Sequence, residues 1–79
     1  EINEAFSSQS LAVINDLSID YAKVNIDGGA ISIGHPLGAS GARIVGKAAS
    51  ILKRTGLSKA IATMCIGGGM GISVSLERI

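Results

Sequence analysis

A lone histidine and a lone cysteine are the strongest candidates for chemistry in this sequence. His35 lies between Gly34 and Pro36, and Cys65 is followed by Ile66 and three glycines. Glycine allows close approach to the backbone and leaves N–H groups free to point at an oxyanion. A thiol with a lowered pKa can act as a nucleophile or a general acid and base, and an imidazole can act as a base. A Cys–His catalytic pair is the chemical interpretation that remains. From the pattern alone, a buried structural cysteine is the better interpretation of Cys65, and a hydrogen-bonded loop histidine is an equal alternative for His35.

Other motifs do not fit the spacing of these residues. Gly34, Gly38 and Gly41 miss the G-x-G-x-x-G pattern of dinucleotide sites, and no Lys-Ser or Lys-Thr follows the three glycines after Ile66. Ala42 stands where a nucleophile elbow requires its last glycine. One cysteine and one histidine cannot complete a zinc site, which normally has four ligands, or three and a water. These motif classes are therefore excluded.

The candidates must be positioned by regular elements, and the apolar pattern predicts an α/β fold with the order β-α-loop-α-β-β around a mixed sheet. The predicted elements are a strand end in Glu1–Phe6, a helix from Ser7 or Ser8 to Leu17, an extended piece over Val24–Asp27, a glycine-rich loop over 28–38, a helix from Ser40 to the residue before Gly56, and antiparallel strands over Ala60–Met64 and Gly71–Leu76. The long helix has Val45, Ala48 and Leu52 on one face, so that side is expected to pack on the sheet. Each candidate lies where an element ends, as functional groups in α/β folds do.

Composition excludes several classes of protein. The chain has 79 residues, of which 47% are hydrophobic, 3% aromatic and 16% charged, and its net charge is +1. Such a chain is too apolar to be disordered and too nearly neutral to bind nucleic acid by counterion release. One cysteine excludes a disulfide scaffold, and no apolar run is long enough to span a membrane. The chain begins without a methionine and is expected to be a single incomplete unit, residues 1–79, of a larger α/β protein.

Three blocks of sequence resemble the C-terminal domain of thiolases, the acetyl-CoA acetyltransferases. They are Asn3–Phe6, the run from Asn25 to Arg43 centred on His35, and Cys65–Gly71. Taken alone, Asn3 fits a plain turn or cap residue. All three blocks in this order are specific to the family, and together they span nearly the whole chain.

The resemblance implies a role for each candidate residue. His35 would activate the family's nucleophilic cysteine and, with a water held by Asn3, form one oxyanion hole. Cys65 would be the second acid and base, and the backbone N–H of Gly67 would belong to a second oxyanion hole. Phe6 and Gly34 would bind substrate, Phe6 along the pantetheine passage.

The resemblance also implies partners and substrates. The acylated cysteine of the family lies upstream of these blocks, so this chain would hold half of an active site and need the remainder of a thiolase chain. The substrates would be acetyl-CoA and CoA, with no metal or bound cofactor, no nucleic acid and no membrane. A homo-oligomer, a dimer or tetramer, is the family expectation. A cytoplasmic location is expected because it fits a reduced, reactive thiol and the lack of a targeting segment. Ser18 stands where many relatives have a helix-ending glycine.

Two other readings stay open. The isolated chain could be a non-catalytic packing or assembly module that presents strand edges and an apolar face to a partner. Alternatively, the whole protein could be a thiolase-like synthase with altered acyl-CoA chemistry. Condensation of two acetyl-CoA molecules to acetoacetyl-CoA and CoA distinguishes the leading reading from both.

Overall fold

The computed structural model describes residues 1–79, which form three helices and a small sheet. The elements are α1 over Ser7–Asp16, a 3₁₀ turn over Tyr21–Lys23, α2 over Ala30–Ile33, α3 over Leu37–Thr55, β1 over Lys59–Cys65 and β2 over Gly71–Glu77. The predicted fold class is confirmed, and both predicted strands are present with one or two more residues than expected.

The sheet has two strands, and the expected mixed character rests on one isolated bridge beside it. β1 pairs antiparallel with β2, from Lys59 opposite Glu77 to Cys65 opposite Gly71. On the other edge of β1, Ile2 forms a parallel bridge with Thr63. The strand predicted over Glu1–Phe6 is therefore reduced to a single bridge. That bridge nevertheless fixes the N-terminal residues against the centre of β1.

One face of the sheet packs on α3. Ile44 and Ala48 of the helix are buried against Ala62 of β1. Alternate residues of a strand point to the same face, and Ala60 and Met64 also contact this cluster. The small side chains allow the helix to approach closely, so the core of the chain lies between α3 and β1.

The start of α3 differs from the prediction. The helix begins at Leu37, three residues before Ser40, because Pro36 supplies an N-cap with φ −73° and ψ 110°. The N–H of Ser40 donates to the Pro36 carbonyl (2.9 Å), so Ser40 is already inside the first turn. The predicted end is correct: Gly56 adopts φ +75° and donates its N–H to the Leu52 carbonyl.

Two predictions for the middle of the chain are wrong. The glycine-rich stretch contains the short helix α2, because the Glu4 carboxylate accepts from the N–H of Ile31 in its first turn (3.0 Å). The residues Val24–Asp27 form a turn instead of an extended piece, and Asn25 has φ +45°. Both differences arise from side chains that bond across more than twenty residues, which local patterns do not reveal.

A charged cluster ties this turn to α3. Arg54 donates to both carboxylate oxygens of Asp27, at 2.8 and 3.0 Å, and Lys47 donates to the same carboxylate at 3.3 Å. The Arg54 hydrogen bonds hold the pKa of the Asp27 carboxyl below its ordinary value of 3.8. The same pair raises the pKa of the Arg54 guanidinium.

Much of the apolar surface is left exposed. Only 11 of the 79 residues are buried, and the exposed large hydrophobic residues include Leu37, Ile61 and Ile72. A groove of about 400 Å³ lies beside Leu52 and Leu76, at the far end of α3 from His35. None of the helices has the length and apolar character that crossing a membrane requires.

Candidate active site

His35 occupies the short connection between two helices. Gly34 ends α2 with φ +94°, a conformation that favours glycine, and Pro36 caps α3. The two neighbours of His35 thus fix the backbone on both sides of it. Nothing lies within 4 Å of where a side chain on Gly34 would begin, so the approach at this position is open.

The two ring nitrogens of His35 contact two buried polar residues. Nδ1 lies 2.5 Å from the hydroxyl of Ser40, and Nε2 lies 3.3 Å from Nδ2 of Asn3. Asn3 and Ser40 both have no exposed surface. The imidazole itself is half-buried, so these two residues hold it from within.

The hydrogen-bond directions define the state of the ring. The Ser40 hydroxyl donates to the Pro36 carbonyl (3.0 Å), so its oxygen accepts from Nδ1–H of His35. The amide of Asn3 donates to Nε2, which must then carry a lone pair and no proton. The arrangement fits a neutral imidazole whose Nε2 can accept a proton.

Asn3 is held by the edge of the sheet. Its N–H donates to the Thr63 carbonyl (2.9 Å), next to the bridge between Ile2 and Thr63. Its side-chain oxygen Oδ1 is buried and has no partner within the chain. Buried acceptors are normally satisfied, so Oδ1 is suited to accept from a water or a substrate group. The reading of Asn3 as a plain turn or cap residue does not hold.

Cys65 lies at the end of β1, two residues beyond Thr63. The thiol is free and exposed. It lines a cleft of about 210 Å³ together with Gln9 and Val13 of α1 and Met70 of the following turn. The structural alternative of a buried cysteine is therefore wrong. Cys65 forms no hydrogen bond with His35, whose two nitrogens bond elsewhere. His35 does not line the cleft that holds Cys65. Asn3 contacts His35 with its side chain and bonds with its backbone to Thr63, two residues before Cys65.

The turn after Cys65 leaves a backbone donor free. The N–H of Met70 donates to the Gly67 carbonyl (3.1 Å), and the N–H of Ile66 donates to the Met70 carbonyl (2.9 Å). The N–H of Gly67 has no acceptor within the chain, so it is available to a ligand. Phe6 is 70% exposed at the start of α1, away from any packed cluster of the chain.

The sequence alone does not predict the contacts that three residues make at this site. Ser40 looks like a helix cap in the sequence, and nothing local shows that its hydroxyl contacts a ring five residues earlier. Asn25 and Glu4 bond to each other and to distant backbone groups. No group of three or more His, Cys, Asp or Glu side chains lies close enough to hold a metal ion.

Comparison with known proteins places the chain in a family. The model of the family described as "Thiolase, C-terminal domain" matches residues 1–78. The acetyl-CoA acetyltransferase of Rhizobium meliloti (strain 1021) is 54% identical over 79 residues, which are 100% of this chain and 20% of that protein. The cytosolic acetyl-CoA acetyltransferase of Rattus norvegicus is 53% identical over 78 residues, again 20% of its length.

A solved structure agrees with the sequence matches. The crystal structure of the Bacillus anthracis acetyl-CoA acetyltransferase superimposes with a TM-score of 0.92 at 49% identity, over 96% of this chain and 19% of that one. The chain thus spans about a fifth of the length of the relatives it matches. The chain belongs to the thiolase family and corresponds to that family's C-terminal domain.

Proposed function

We propose that this chain is the C-terminal catalytic segment of an acetyl-CoA acetyltransferase, which condenses two acetyl-CoA molecules reversibly to acetoacetyl-CoA and CoA. The observation that carries the proposal is the buried Asn3–His35–Ser40 network, which leaves a lone pair on Nε2. It occurs in a chain about half identical to proteins named acetyl-CoA acetyltransferase.

In the first half-reaction, His35 acts as the base for a cysteine supplied by the rest of the protein. Nε2 takes the proton of that thiol, and the sulfur attacks the carbonyl of acetyl-CoA. The C–S bond to CoA breaks, and the CoA sulfur takes a proton from Cys65. The acetyl group is then on the upstream cysteine, His35 is protonated and Cys65 is a thiolate.

In the second half-reaction, Cys65 acts as the base. Its thiolate takes a proton from the methyl group of a second acetyl-CoA, and the resulting carbanion attacks the acetyl carbonyl on the upstream cysteine. The bond between that carbonyl and the cysteine sulfur breaks, and the sulfur recovers the proton held by His35. Protons and charges balance over the two halves, and the steps use no metal or bound cofactor.

Two sets of donors support the oxyanions that form. Protonated Nε2 of His35, with a water on the unpartnered Oδ1 of Asn3, would stabilise the enolate oxygen of the second acetyl-CoA. The free N–H of Gly67 would donate to the oxyanion on the acyl group. Exposed Phe6 and the open approach at Gly34 are suited to contact the CoA thioester.

The rest of the protein supplies what this chain lacks. The only cysteine is Cys65, so the acylated cysteine must come from the sequence that the relatives have beyond the matched fifth. We expect the whole protein to be a homo-oligomer, as the family resemblance implies, and to work in the cytosol, where the rat relative is named as located.

A second candidate function is supported by the exposed apolar surface. With 11 of 79 residues buried, the isolated chain presents the surface of a packing module that docks on the remainder of a larger protein. The two functions are compatible in the whole protein, and under either one the 79 residues alone are inactive. They differ in whether His35 and Cys65 take part in the reaction of the whole protein.

The test is a grafted enzyme, in which these 79 residues replace the matching stretch of the Rhizobium meliloti relative. We expect this enzyme to cleave acetoacetyl-CoA with CoA and to condense acetyl-CoA. His35→Ala and Cys65→Ser should each lower kcat by at least about 1,000-fold, as loss of a catalytic acid or base does. Full activity in either variant would contradict the proposal, and no condensation of acetyl-CoA by the folded grafted enzyme would favour the altered synthase.

A further inference from the structure

We propose that Asn25 is a positioning residue for the candidate site, and that it sets the contact between Asn3 and His35. The inference rests on the proposed function, because it assigns to Asn25 a part in the same reaction. Asn25 opens the second of the three family-like blocks, yet none of the roles given above uses it. It touches no reacting group and acts through its neighbours.

The side chain of Asn25 holds the backbone next to Asn3. Its Oδ1 accepts from the N–H of Ile2, and its Nδ2 donates to the carbonyl of Ile2, both at 2.8 Å. Two opposed hydrogen bonds to one residue fix the peptide groups on both sides of it. The Asn3 side chain, attached directly after Ile2, is thereby aimed at Nε2 of His35.

The same side chain is also connected to the segment before His35 by hydrogen bonds. Nδ2 of Asn25 also donates to Oε2 of Glu4 (3.1 Å), and Oε1 of Glu4 accepts from the N–H of Ile31 in α2. α2 ends two residues before His35. The amide of Asn25 therefore ties together the two segments, 32 residues apart, that carry the Asn3–His35 contact.

The backbone of Asn25 is adapted to this task. Its φ of +45° lies in the left-handed region, which asparagine adopts more readily than most residues and which turns its side chain toward Ile2. Gly29 lies against the same cluster: a methyl group there would lie 2.9 Å from Nδ2 of Asn25 and within overlap of the Glu4 carboxylate. Gly29 thus packs directly against the bonded side chains of Asn25 and Glu4.

The test is Asn25→Asp in the grafted enzyme. An aspartate keeps an oxygen for the N–H of Ile2 but turns an acceptor toward the Ile2 carbonyl and the Glu4 carboxylate, so both donor bonds are lost. We expect kcat to fall about 100-fold, as for a displacement of about 1 Å at a catalytic group, with little change in KM. Asn15→Asp is the matched control, because Asn15 only accepts from the Tyr21 hydroxyl.

Two further readouts separate positioning from general damage. In an Asn3→Ala background the Asn25→Asp change should lower kcat by less than about threefold, because the contact that it sets is already gone. In a crystal structure of Asn25→Asp, the Nδ2–Nε2 distance between Asn3 and His35 should lengthen by more than about 0.5 Å. An unchanged distance, or equal losses in both Asn3 backgrounds, would overturn the inference.

Failure of the inference differs from failure of the proposed function. An unsubstituted grafted enzyme that folds but does not turn over would contradict the function. The crystallographic distance would still test whether Asn25 sets the contact. An active grafted enzyme in which Asn25→Asp behaves like Asn15→Asp would overturn the inference alone.

Discussion

Ser40 is the residue on which the state of the imidazole depends. Its hydroxyl is fully buried, donates to the Pro36 carbonyl and accepts from Nδ1 of His35. A partner of this kind fixes both the tautomer and the orientation of a functional histidine. The Ser40 side chain has no other polar contact, so its substitution removes only these two hydrogen bonds.

We predict that Ser40→Ala lowers kcat of the grafted enzyme about 10- to 100-fold, the usual loss when the partner of a functional histidine is removed. KM should change little, because Ser40 does not face substrate. Ser50→Ala, an exposed position on the same helix, is the control and should be neutral. If kcat changed equally in both variants, the hydrogen bond between Ser40 and Nδ1 of His35 would not matter for the reaction, and the prediction would be wrong.

The residues of the site differ in how far the sequence reveals them. His35 and Cys65 can be found because each is the single residue of its type and is set among glycines. Ser40 and Asn25 cannot, because serine at a helix start and asparagine before glycines each have a common local explanation. Their roles depend on contacts that exist only after the chain folds.

At the scale of the elements, α2 depends on the close approach of Gly29 to Glu4. A methyl group at Gly29 would overlap the carboxylate that caps α2, whereas one at Gly46, within α3, meets nothing within 4 Å. We predict that Gly29→Ala lowers the free energy of unfolding by about 1–3 kcal/mol through overpacking. Gly46→Ala should raise it by about 0.5–1 kcal/mol. Urea denaturation of the grafted enzyme measures both changes in the free energy of unfolding. If the two substitutions changed it in the same direction, the close contact assigned to Gly29 would be contradicted.

The cluster of Asp27 with Arg54 and Lys47 gives a pH dependence. The pKa of Asp27 is lowered on folding, so its stabilising effect is present above the ordinary value of 3.8 and is lost as pH falls through the lower folded value. We predict that Asp27→Asn lowers the thermal midpoint at pH 7 and that the difference narrows below about pH 4. Thermal melts across this range test it, and a difference that grows on acidification would contradict it.

The hydrophobic pattern of the sequence predicts some helices and strands correctly and misses others. The end of α3 and the two strands follow from Gly56 and from apolar runs bounded by glycines, and they are present as predicted. α2 and the turn at Asn25 are not, because both are held by side-chain bonds to Ile2 and Ile31. No period in the sequence encodes such bonds.

At the scale of the whole molecule, the chain exposes more surface than its mass requires. Its accessible surface is 5251 Å², against roughly 4,450 Å² for a compact monomer of 8.0 kDa. The excess is about 800 Å², close to one side of a standard protein interface. This is the surface expected of a part that packs on the remainder of its protein.

We therefore predict that the isolated 79 residues associate with themselves and do not turn over acetoacetyl-CoA. Sedimentation should show species larger than 8.0 kDa, because exposed residues such as Leu37 and Ile72 find no other cover. The assay should show no CoA-dependent cleavage, since the acylated cysteine is absent. If the isolated 79 residues were monomeric and active, the proposal that they need the remaining four-fifths of the protein would be contradicted.

The most direct test of the proposed mechanism is to locate the proton on the His35 ring. Neutron diffraction from crystals of the grafted enzyme in heavy water at neutral pH locates deuterium on each ring nitrogen. We predict deuterium on Nδ1, directed at the Ser40 hydroxyl, and none on Nε2. Deuterium on Nε2 with a bare Nδ1 would leave His35 unable to accept a proton on the side of Asn3, and would contradict the proposed role of His35 as the base.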